Sequence, residues 1–137
     1  MLRFHARGYC TYCSAPKSDA PGDVPAVERY QSQRIRSLAD AAGREGCPMW
    51  IVSGRYGLLA PSEPIPWYDT LLKDEDVSGL VTACVETLSA SGVKALVYST
   101  ACVNLAPEVA PYLRLVRLAC EGAGVALEVV TLPGVPV

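Results

Sequence analysis

The chain of 137 residues has a single histidine, His5, and its place near the N-terminus disfavours histidine-based triads and multi-histidine metal sites. Half the residues are hydrophobic, yet no uninterrupted apolar stretch approaches the roughly 20 residues that a membrane-spanning helix needs. Charge is scant as well. A formal net charge of −2 offers no general attraction to nucleic acid, so any polynucleotide contact has to be local. Neither a Walker-type nor a dinucleotide-binding glycine pattern occurs, which argues against ATP and NAD sites of the usual kind. The leading residues carry positive charge with no apolar run behind them, so a secretory signal is not expected and a cytoplasmic location is.

What is present fits one domain that buries about two thirds of the surface of its unfolded chain. Six cysteines would suggest a disulfide scaffold only in a short secreted chain with a weak core, so reduced thiols are expected. Val77, Leu80, Val81, Cys84, Val85 and Leu88 follow helical spacing, with acidic residues from Asp74 to Asp76 at the start and Gly92 as the stop. A second helix is predicted from Pro25 to Ala42, stopped by Gly43, with Val27, Tyr30, Arg34 or Ile35, Leu38 and Ala41 facing inward. A third should begin between Pro107 and Pro111 and bury Val109, Tyr112, Leu113, Val116 and Cys120.

Short β-prone runs lie between them: Met49 to Ser53, Ala95 to Ser99 and Val125 to Thr131, with a first strand somewhere in Leu2 to Tyr12. The alternation predicts an α/β fold, a mostly parallel sheet of about four strands with helices on both faces in a three-layer sandwich. In such sheets ligands sit beyond the carboxyl ends of the strands. That rule selects three loops: Tyr9 to Asp23, Ser53 to Lys73, and Ser99 to Pro107. The second is long and holds Pro61, Pro64 and Pro66 beside Trp67 and Tyr68, so it reads as an ordered wall.

The chemistry available in these loops is specific. Cys13 beside Ser14 and Lys17 could supply a nucleophilic thiol or amine; otherwise Cys13 is a small buried hydrophobe and Lys17 a surface charge. Asp69 suits proton transfer or a grip on a base edge, or else a turn, and Tyr56 is a further acid–base candidate. Ser14 and Ser53 would orient a ligand, and Gly54 and Gly57 would let the backbone approach it closely. Tyr56, Trp67 and Tyr68 could stack a planar group, while Arg55, Lys17 and Lys73 would meet phosphate. The expected partner is a small planar ligand such as a nucleobase or nucleotide, with DNA as a further candidate and no membrane. No cofactor is required. An alternative is an iron–sulfur cluster or zinc held by Cys10, Cys13 and Cys102, since Cys10 and Cys13 have redox or metal spacing but supply only two ligands. Cys84 and Cys120 are expected in the core. A DNA-contacting accessory domain without catalysis is the third reading.

Two motifs also carry a resemblance. Ser53-Gly54-Arg55-Tyr56-Gly57-Leu58-Leu59, followed by Pro61, Glu63-Pro64-Ile65 and Tyr68-Asp69, resembles the signature of a family of small uncharacterised bacterial and phage domains and of the peroxide-stress YaaA family. Cys13-Ser14-Ala15-Pro16-Lys17 resembles the Cys-Ser-x-x-Lys that follows the first strand there. The likeness covers about residues 9 to 73, and Asp69 stands where the YaaA pattern has an arginine. It implies an α/β sandwich with a polar cavity and, on the YaaA side, iron control under peroxide stress and DNA binding. More distantly the pattern is similar to domains attached to archaeosine-forming enzymes, which handle modified nucleobases.

Overall fold

A computed structural model describes residues 6–132 of the chain, so His5 and the beginning of the window expected to hold the first strand lie outside the described residues. The first strand, β1, is Arg7–Tyr12. Val24–Pro25 forms β2, Ala26–Arg29 a single helical turn α1, and Gln33–Glu45 the helix α2. Met49–Ser53 is β3, Gly57–Leu59 is β4 and Pro64–Ile65 is β5. Asp74–Ser91 is α3 and Ala95–Thr100 is β6. A 3-10 turn at Pro107–Val109 leads into α4, Ala110–Ala123, and Ala126–Thr131 is β7.

The fold is α/β, built on a mainly parallel mixed sheet of five strands in the order β4-β3-β1-β6-β7. The expectation of about four strands missed β4. This three-residue strand turns straight back from β3 and pairs with it antiparallel, Ser53 opposite Gly57. Every residue of β3 is buried, as its unbroken apolar run foretells for a strand away from the sheet edge. The edge strand β7 has only exposed and half-buried positions.

The helix expected as one piece from Pro25 to Ala42 is two. Tyr30 takes an extended conformation (φ −83°, ψ 122°) and pairs with Lys17 as an antiparallel bridge. The helix restarts at Ser32, whose hydroxyl accepts the Ile35 N–H at 3.3 Å as an N-cap, a role for which serine is strongly preferred. It then runs past Gly43 and stops at Gly46. The other two helices lie where periodicity places them, and α3 ends at Gly92.

Successive side chains of a strand point to opposite faces, and β1 shows both surroundings. Tyr9 and Thr11 bond Glu45 and Arg34 of α2, whereas the Cys10 thiol lies near Cys84 of α3 and Cys120 of α4. Among the described residues no helix is long and apolar enough to cross a membrane.

Candidate functional site

At the carboxyl end of β1 the chain leaves the sheet at Cys13. The Cys13 N–H still donates to the Val52 carbonyl at 3.0 Å, and the Arg34 guanidinium of α2 donates to the Tyr12 carbonyl at 2.7 Å and the Cys13 carbonyl at 3.2 Å. A planar fork of this kind fixes two backbone acceptors at once. Arg34 therefore holds the strand end that carries Cys13.

Beyond that end opens a cleft of about 80 Å³, well below the several hundred Å³ that drug-sized ligands occupy. Three chain segments line it. Tyr12 to Ala15 and Lys17 come from the end of β1 and its loop, Asp69 to Leu71 from the second loop, and Glu108, Val109 and Tyr112 from the start of α4. Cys13, Ser14, Lys17 and Asp69 are thus brought together. The Ser14 hydroxyl donates to the Pro16 carbonyl at 2.8 Å, so it shapes the loop as well as facing the cleft. The Lys17 ammonium is 4.9 Å from the ring centre of Tyr68 and 5.9 Å from that of Tyr30, a placement in which the π faces attract the cation.

Other residues expected at the site lie behind or outside the cleft. Ser53 is fully buried, its Oγ accepting the N–H groups of Arg55 and Tyr56 at 3.1 Å each. With both lone pairs engaged, its hydrogen goes to Tyr68 at 2.8 Å, and Tyr68 in turn hydrogen-bonds Tyr30. Three hydroxyls share two bonds, so one phenolic hydrogen of the tyrosine pair has no acceptor within this network. Burial, and after it the neighbouring Cys13, push Tyr30 and Tyr68 above the usual tyrosine range, so both keep their protons at neutral pH.

Gly54 and Gly57 serve the chain's own packing. A Cβ on Gly54 would stand 2.8 Å from the Leu72 nitrogen and 3.0 Å from the Thr70 oxygen; on Gly57, at φ +74°, it would stand 3.1 Å from the Cys84 sulfur. The close approach expected toward a ligand is made instead to residues 70–72, the wall of the cleft. Tyr56 packs edge-on against Tyr68, ring centres 5.3 Å apart, with the Arg55 guanidinium 5.6 Å from the Tyr56 ring. Arg55 and Lys73 are exposed, and so is Trp67, at 56%.

The proposed cysteine cluster does not assemble. Cys10 lies within β1, whereas Cys13 follows the strand's last residue. Cys10 is wholly enclosed and burial holds its thiol well above its ordinary pKa. Among the described residues no group of three or more His, Cys, Asp or Glu side chains could hold a metal ion.

Tyr112, read from sequence as one apolar position of a helix face, supplies a polar wall instead. Its hydroxyl accepts the Leu72 N–H at 3.1 Å and sits beside the Cys13 thiol. Glu108 was also missed. The signal for both was the helix start following a strand's carboxyl end, which turns first-turn side chains toward the rim. A larger cavity of about 290 Å³ lies against Leu38, Ala41 and Leu132 beside Arg34, with Ser37 and Ser99 also in its lining and no thiol, amine or carboxylate there. Comparisons with family models, with curated proteins and with solved structures found no match.

Proposed function

We propose that the cleft beyond β1 binds a small planar polar ligand, a nucleobase or the base of a nucleotide, and acts on it through Cys13 or Lys17. One observation carries this reading. β1 lies between β3 and β6, and the chain goes first from β1 to β3 and later to β6 on its other side, so the strand order reverses at β1. Crevices outside the carboxyl ends at such reversals are where open α/β sheets bind ligands, and the cleft is lined by the segments that follow β1 and β6. In this reading α2 covers one face of the sheet and α3 with α4 the other, the three-layer arrangement expected from the sequence.

The lining suits a base better than a bare phosphate. Lys17 offers donors, Asp69 and Glu108 offer acceptors, and thiol and hydroxyl groups stand between them, which matches the mixed donor and acceptor edge of a nucleobase. The likeness of the Cys13 to Lys17 and Ser53 to Asp69 motifs to the YaaA family belongs to the same reading, because both motifs contribute to one end of the sheet. Thermal unfolding against a panel of nucleobases, nucleosides and nucleotides tests it. A rise in Tm with one class, lost in Cys13→Ala and Asp69→Ala, is the expected result; no response to any member of the panel contradicts it.

A further inference from the structure

The last strand, β7, lies at the edge of the sheet with β6 as its one neighbour among the described residues. The Ala126 N–H donates to the Lys94 carbonyl at 2.9 Å, and further along the Leu132 N–H donates to the Thr100 carbonyl at 2.8 Å. The register between these two bonds is unbroken, so Ala126, Glu128 and Val130 turn their N–H and C=O groups to β6. Those of Leu127, Val129 and Thr131 point out of the sheet, a row of backbone donors and acceptors with no ladder partner among the described residues. The opposite edge is protected. There β4 is three residues long, wholly buried and packed against α3. On β7 the usual guards of an edge are missing. It carries no proline, lysine or bulge, its one charge is Glu128, and Leu127, Val129 and Val130 are only half-buried.

We propose that this edge docks against a second copy of the chain, β7 pairing antiparallel with the same strand of its partner across a two-fold axis at Val129. The row of outward groups is complementary to itself about that residue. Val129 exchanges both hydrogen bonds with Val129 of the partner subunit, and Leu127 and Thr131 exchange theirs with the partner's Thr131 and the partner's Leu127, so every outward group of the strand is satisfied. Charge selects the register. An axis at Glu128 would set the two carboxylates directly opposite each other, which is destabilising, whereas about Val129 each Glu128 stands across from a valine. The axis also turns the two sheets head to tail. The clefts beyond β1 then open at opposite ends of the pair, and both stay accessible.

Sedimentation equilibrium of the full chain tests this pairing. Contacts as small as one strand pair are weak, so loading concentrations run from about 1 µM to about 1 mM. The weight-average mass should rise with concentration from 14.6 kDa toward twice that value. Val129→Pro removes an outward N–H that has no ladder partner within the chain, a position at which edge strands accept proline. The mass should then stay at the monomer value, with Tm close to that of the wild type. Val129→Lys keeps the backbone and sets two ammonium groups opposite each other; it should also hold the chain monomeric, and it serves if the proline variant does not fold. Glu128→Gln should change the association constant by less than about fivefold, as expected of an exposed charge away from the axis. A wild type that is monomeric throughout overturns the proposal, and so does association that Val129→Pro and Val129→Lys both retain. Strengthening by about tenfold or more in Glu128→Gln overturns the register, because it sets the axis at Glu128.

Discussion

The hydroxyls of Tyr30 and Tyr68 hydrogen-bond to each other in the interior although the residues are 38 positions apart. Tyr30 belongs to the break between α1 and α2, and Tyr68 to the long loop after β4. Their contact, continued to Ser53 at the end of β3, fastens two of the three rim segments to the sheet.

Tyr68→Phe removes the centre of this network and leaves the buried Ser53 and Tyr30 hydroxyls without their mutual partner. A loss of about 1–3 kcal/mol is expected, measured by urea unfolding. Tyr30→Phe, at the end of the chain of bonds, should cost less. The double variant should cost less than the sum of the two, since both changes act on one network. Additive losses would mean that the three hydroxyls are energetically separate.

Arg29 is fully buried and its guanidinium donates to four carbonyls: Ser18 at 2.8 Å, Ala20 at 2.9 Å, Gly22 at 2.6 Å and Ile65 at 3.2 Å. It is the clamp that shapes the loop after β1 and ties it to β5. Arg29→Met strands these acceptors, and at least about 3 kcal/mol of stability should go, a large part of the 5–15 kcal/mol typical of a domain. Limited proteolysis should then cut first between residues 15 and 24. A variant as stable and protease-resistant as the wild type would show that the loop is held by other contacts.

Gly54→Ala forces a methyl group against the backbone of residues 70–72, which cannot give way as a flexible side chain would. About 1–3 kcal/mol of destabilisation is expected, together with weaker ligand response because Thr70 and Leu71 line the cleft. Gly79→Ala is the control. A Cβ there meets nothing within 4 Å inside α3, so helix propensity should raise stability by about 0.5–1 kcal/mol. Equal effects from the two substitutions would contradict the packing role of Gly54.

Burial pushes the Cys84 and Cys120 thiols up to about 11 from the usual 9. The folded protein therefore holds these protons more tightly than the unfolded chain does. Stability should be full below about pH 8.5 and decline as the pH rises toward 11, by on the order of 2 kcal/mol per thiol at the top of that range. Tyr30, Tyr68, Tyr98 and Tyr112, also raised by burial, steepen the decline above pH 10. Urea midpoints between pH 7 and 11 follow it, and the Cys84→Ala, Cys120→Ala double variant should show a flatter profile. A stability that holds level to pH 11 would contradict the burial of these groups.

The parts legible in the sequence are those governed by local rules. Asp74 to Asp76, an apolar stripe at helical spacing and Gly92 define α3 by themselves, and the unbroken Met49 to Ser53 run marks a buried strand. Strand-end logic also placed Cys13, Lys17 and Asp69 at one rim. The rest depends on contacts distant in sequence. The Pro25 to Ala42 stretch reads as one helix until Tyr30 is seen to bridge Lys17. The strand β4 is too short to show a period of its own. Ser53 looked like a ligand group because its two backbone donors and Tyr68 declare themselves only after the hairpin closes. Arg29 gave no signal, since its partners are loop carbonyls rather than acidic side chains. Tyr112 hid among apolar neighbours because a tyrosine packs its ring and aims its hydroxyl with the same side chain.

The most direct test of the cleft as the ligand site is a heteronuclear NMR titration of the isotope-labelled chain with uracil and hypoxanthine, reading each backbone amide. Saturable shifts concentrated at Cys13 to Lys17, Asp69 to Leu72 and Glu108 to Tyr112 are the predicted outcome. Saturable shifts centred on Leu38, Ala41 and Leu132, or an unperturbed spectrum at millimolar base, would contradict it.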